Sequence, residues 1–183
     1  MSIENTQAMP INDVLPHAFN VCVSTKRHPT LIGPSGCGKS QILSEDLRAM
    51  LAEHEGMTVG NEEGQFKLWH VDAATTDGAE LRGLPDINRD TGRTTWRTPD
   101  SLPQEGERGL IMIDEPNTAM DKSFLFAMYQ LLGNEARIGE WELPDGVYIA
   151  LAGNRMEDAV GLEELPAPFR ARCWIQEVRP EVN

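Results

Sequence analysis

Short apolar runs alternate with helical stripes along this chain, and that rhythm predicts most of its elements. PTLIG (29–33) is a brief apolar run that ends in glycine, the pattern of a short buried strand entering a turn. Behind it, KSQILSEDLRAMLAEHEG places Ile42, Leu43, Leu47, Met50 and Leu51 on one helical face, with Gly56 as the stop. FKLWHVDA (66–73) reads as a second strand. GLIMID (109–114) is apolar throughout, as a strand covered on both faces must be. The stretch NTAMDKSFLFAMYQLLG then carries Met120, Phe124, Met128, Leu131 and Leu132 at helical spacing, and Gly133 marks its end. GVYIALAGN (146–154) and CWIQEV (173–178) supply two further strands. Strands and helices in this alternation predict an α/β fold, a parallel sheet with helices on both faces. Residues 83–108, with Pro85, Pro99 and Pro103, are too long and irregular for a simple connector.

Composition narrows the class. A chain of 183 residues is most simply one domain with a real core, and 40% hydrophobic with 25% charged residues suits a globular protein. There is no apolar run of about eighteen residues, so no membrane span is expected. MSIENTQAMPINDV lacks the basic-then-apolar layout of a secretory signal. Cys22, Cys37 and Cys173 are scattered, without a CxxC or a histidine at ligand spacing. A disulfide framework and a zinc site are therefore not expected, and a reducing, cytoplasmic setting is. A formal charge of −13 weighs against nucleic acid as a partner, since a phosphate backbone asks for a basic footprint. One stretch departs from the acidic background: in 82–97, Arg82, Arg89, Arg93 and Arg97 face Asp86 and Asp90. It reads either as a solvated loop or as the lining of a site.

Three short segments carry chemistry. GPSGCGKS (Gly33, Pro34, Ser35, Gly36, Cys37, Gly38, Lys39, Ser40) fits G-x-x-x-x-G-K-[ST] between an expected strand and an expected helix. Its glycines let backbone N–H groups turn inward around phosphate oxygens, and the following helix adds its positive end. Lys39 is placed to reach the β- and γ-phosphates, and the Ser40 hydroxyl to ligate Mg²⁺. With glycine at about 7% of ordinary sequences, the pattern arises by chance in roughly one chain of this size in a hundred. The competing reading is a structural glycine turn. Cys37 occupies a free position and reads as a small residue, not a nucleophile. LIMIDE brings Asp114 to a strand end, where it can hold Mg²⁺ with Ser40, and sets Glu115 to orient and polarise an attacking water. Otherwise these are two exposed charges. ALAGN ends a strand in Asn154, which either contacts the γ-phosphate or the water, or is an ordinary turn residue.

Taken in order, GPSGCGKS, LIMIDEPN, ALAGNR and LPAPFRARC resemble the AAA+ ATPases, and their MoxR branch most. The branch pattern DE-x-N is met by Asp114, Glu115 and Asn117, and a Leu131–Leu132 pair follows. A hairpin at about 136–147 then leads to the sensor asparagine, Asn154, and 77–108 corresponds to the branch's helix-2 insert. The resemblance covers about residues 12–178. It implies a three-layer α/β/α P-loop NTPase core whose parallel sheet has five strands in the order 5-1-4-3-2. It also implies ATP hydrolysis with Mg²⁺, a site completed at a subunit boundary of a homo-oligomer, usually a hexameric ring, and work on a protein client, often a von Willebrand A-like protein. The preference for adenine rests on the resemblance alone. By the same pattern Arg172 is the arginine finger given to a neighbour's γ-phosphate, with Arg170 the runner-up and a pair of surface charges the remaining reading. Eleven residues follow Arg172, too few for the family's helical lid, so 1–183 reads as a single core domain without it. Alternatives left open are a nucleotide-gated scaffold with little turnover, a nucleic-acid-linked motor and a small-molecule phosphotransferase.

Overall fold

The computed structural model describes residues 5–118, 122–158 and 165–180. The chain begins with strand β1 (Asn5–Pro10), helix α1 (Leu15–Ser24) and strand β2 (His28–Gly33). A glycine-rich loop opens helix α2, which runs over 39–54 with its middle stretch, Ile42–Leu47, wound as π-helix. Strand β3 (Phe66–Asp72) and short helix α3 (Gly78–Arg82) follow, then the antiparallel pair β4 (Leu84–Ile87) and β5 (Thr94–Arg97). Strand β6 (Arg108–Asp114) leads to helix α4 (Lys122–Leu131) and a second antiparallel pair, β7 (Arg137–Ile138) and β8 (Trp141–Glu142). Strand β9 (Val147–Asn154), helix α5 (Ala167–Arg170) and strand β10 (Cys173–Arg179) come last.

The central sheet has six strands, all parallel, in the order β1-β10-β2-β9-β6-β3. This corrects the expected five-stranded order 5-1-4-3-2: the sheet begins one strand further out, with β1 beside β10. NTQAMP holds no apolar run because an edge strand is not covered on both faces, and a proline is tolerated at that position. The pairing itself makes it a strand. Met9 and Pro10 lie opposite Val178 and Arg179, and buried Gln176 donates through Nε2 to the Gln7 carbonyl at 3.1 Å.

Alternation along the inner strands divides the core between the two faces. Trp69, Val71, Ile111, Ile113, Ile149 and Leu151 pack under Phe124, Met128 and Leu131 of α4. On the other face, Leu31, Leu110, Met112, Ala150 and Ala152 meet Leu43, Leu47 and Leu51 of α2. Each fully buried leucine or isoleucine stabilises the fold by about 1.5–3 kcal/mol relative to exposure. The result is helix, sheet, helix. Met120, expected on the α4 stripe, lies outside the described residues. The arginine-bearing stretch 82–97 forms the β4–β5 hairpin, not a loop, with Arg97 paired to Asp86 and Arg82 stacked 4.4 Å from the Trp96 ring. Among the described residues no helix is long and apolar enough to cross a membrane.

Register positions the site. Gly33 lies opposite Asn154, and Asp114 opposite Ala152, so the C-terminal ends of β2, β9 and β6 form one edge.

Candidate functional site

The loop after β2 has its shape because two of its glycines adopt conformations that other residues resist. Gly36 (φ +75) and Gly38 (φ +92) are left-handed, and Gly38 leads directly into α2. Gly33 is constrained differently: a Cβ there would sit 2.6 Å from the Val178 carbonyl of β10. Lys39 is 7% exposed, and its ammonium donates to the carbonyls of Gly33 (2.9 Å) and Pro34 (2.7 Å) and to Asn154 Oδ1 (3.3 Å). It forms no ion pair with a carboxylate among the described residues. A buried charge is costly unless paired, so this cation presents a ready partner for an anion at the loop. Cys37, half-buried, holds its Sγ 4.0 Å from the same ammonium.

Ser40 Oγ donates to Asp114 Oδ2 at 2.9 Å, joining the start of α2 to the end of β6. A hydroxyl and a carboxylate are hard oxygen donors, the chemistry Mg²⁺ takes alongside phosphate oxygens and water. The donor set fits that ion. Among the described residues there is no cluster of three or more His, Cys, Asp or Glu built to hold a metal by itself. His70 of β3 places Nε2 3.6 Å from Asp114 Oδ2. Sequence reading missed it; the signal was a polar residue between the buried Trp69 and Val71.

Glu115 holds a left-handed backbone, φ +51, a conformation that costs a non-glycine residue roughly 1–2 kcal/mol. The surroundings impose it. Its N–H donates to the Ala152 carbonyl at 2.7 Å, and its own carbonyl accepts from the Thr118 hydroxyl at 2.7 Å. Its Oε1 accepts from Asn154 Nδ2 at 3.0 Å. Asn154 therefore bridges Lys39 and Glu115 through the two ends of one amide. Arg155 is committed elsewhere: it donates to Asp158 at 2.7 and 2.9 Å and holds that carboxyl below its ordinary range.

Lys39, Ser40, Asp114, Glu115 and Asn154 thus converge, and Arg172, which follows helix α5 with Arg170 at its end, does not join them. Cys173 pairs with His28 at the start of β2, whereas the loop leaves the other end of that strand. At a rise of about 3.3 Å per residue the two ends lie roughly 17 Å apart. Arg172 is half-buried, and its side chain makes no hydrogen bond or ion pair among the described residues. Its carbonyl accepts from the His28 N–H at 3.1 Å.

No protein-family model and no curated protein matches this chain. Among solved structures, a candidate ATPase from Cytophaga hutchinsonii is similar, with a TM-score of 0.53 and 15% identity. The match covers 92% of this chain and 46% of that one, so this chain spans about half the length of that protein. At that identity the likeness is one of fold: an α/β architecture with a parallel central sheet, consistent with a P-loop NTPase-like fold.

Proposed function

We propose that this chain is a Mg²⁺-dependent ATPase of the AAA+ class, MoxR-like, which remodels a protein partner as part of a homo-oligomer. The observation that carries the reading is Lys39: a buried ammonium, unpaired with any described carboxylate, beneath a loop with two left-handed glycines. Around it the other groups are arranged for phosphoryl transfer to water. Loop N–H groups and Lys39 bind the β- and γ-phosphates; Ser40 and Asp114 hold the metal. When bound, Mg²⁺ supplies positive charge to the phosphate oxygens. Glu115 orients the attacking water and takes up its proton, and Asn154 sets Glu115 against the γ-phosphate. Arg172 acts on a neighbouring subunit's nucleotide. The likeness to a candidate ATPase supports this reading at the level of fold.

The first test compares wild type with Lys39→Ala, measuring equilibrium binding of a fluorescent ATP analogue and phosphate release with Mg²⁺. Both signals should be present in wild type and lost in the variant. Equal nucleotide affinity for both proteins would overturn the assignment of the loop. Tight binding by wild type without any phosphate release would replace hydrolysis with a nucleotide-gated scaffold.

A further inference from the structure

Strand β9 is longer than its neighbour on one side. The last register pair between β6 and β9 is Asp114 with Ala152, whereas on the other side β2 stays paired out to Asn154. Gly153 and Asn154 therefore overhang β6, at the very residue whose amide bridges Lys39 and Glu115. The overhang is closed by a side chain. Asn117, buried in the turn after β6, donates through Nδ2 to the main-chain carbonyl of Asn154 at 2.7 Å.

The turn itself does not need this amide, because Thr118 already closes it onto the Glu115 carbonyl through its N–H and its hydroxyl. Nor does Asn117 suit simple packing: its Oδ1 is buried and meets no hydrogen-bond donor among the described residues. An apolar residue of similar size would carry no such penalty. Its approach to β9 also depends on Gly153, where a Cβ would lie 3.0 Å from that Oδ1.

We infer that Asn117 is a positioning residue that acts through Asn154. By holding the last peptide of β9, it fixes the direction in which the Asn154 amide reaches Glu115. The inference rests on the ATPase reading and adds a residue to it. Its test is a double-mutant cycle on phosphate release and ATP-analogue binding, with Asn117→Ala and Asn117→Asp each made in wild type and in an Asn154→Ala background. The aspartate is nearly isosteric but turns an acceptor toward the Asn154 carbonyl, and it keeps the test alive if the alanine variant is poorly folded.

Each substitution should lower kcat by about 10–100-fold in wild type with nucleotide affinity held within about threefold, and by less than about twofold once Asn154 is gone. Equal losses in both backgrounds, or loss of binding in step with kcat, would mean that Asn117 merely supports the fold. Unchanged turnover in both variants would overturn the inference alone. A wild-type chain that binds nucleotide and releases no phosphate would overturn the ATPase reading as well.

Discussion

Glu115 stands in a strained backbone conformation with its carboxylate oxygen held by Asn154. Strain of this kind persists where the surroundings over-determine it, and it concentrates at working sites. Glu115→Gln keeps the acceptor oxygen but removes the charge proposed to polarise water. It should leave ATP-analogue affinity within a few-fold while phosphate release falls by about 10²–10⁴. Retained turnover, measured at saturating ATP, would remove Glu115 from the mechanism. At this scale the sequence was legible where spacing encodes geometry: Lys39 and Ser40 sit at fixed positions of one loop, and Asp114 at the end of one apolar run. His70 and the Asn117–Asn154 contact were not legible, because they depend on register between strands far apart in the chain. The left-handed conformation of Glu115 has no local marker either, since it is set by the Ala152 and Thr118 contacts.

Among the elements, β2 begins with a histidine whose environment makes a thermodynamic statement. Burial depresses the His28 imidazole to about 4, against an ordinary value near 6.5. Between those values the unfolded chain binds a proton that the native chain refuses, so stability falls as pH drops from about 6.5 towards 4. The loss from this residue should reach roughly 2 kcal/mol at pH 5. Urea titrations at pH 7 and pH 5 should show it, and His28→Leu should flatten that part of the difference. A slope unchanged in the variant would show that His28 does not carry it. Inner elements were the readable ones: the stripe of α2 buries Ile42, Leu43, Leu47 and Leu51. Strand β1 and the β4–β5 hairpin were missed because their positions are mostly polar or exposed, and pairing, not periodicity, makes them strands.

For the molecule as a whole, alternation along the chain was enough to predict α/β layering, while the connectivity expected from resemblance omitted the outer strand. The distance between the loop and Arg172 keeps that arginine out of its own subunit's site and makes its proposed role a statement about assembly. Glu115→Gln and Arg172→Ala proteins, each inactive alone, should regain part of the activity when mixed, because on the proposed reading one supplies the finger and the other the water-orienting carboxylate. A finger of this kind is worth on the order of a thousandfold or more in turnover. Turnover per subunit should also rise with protein concentration. No recovery on mixing, in samples that light scattering shows to be assembled, would remove Arg172 from the role.

The outer strand has one further consequence, in time rather than space. β1 is synthesised before every other described strand of the sheet, yet its partner β10 is synthesised after all of them. A contact of such large sequence separation forms late and slows folding. The segment must wait through translation without a mate. Its polar residues and Pro10 suit that wait, since a flat apolar strand left unpaired invites aggregation. The docking of the first described strand must therefore wait for the last one.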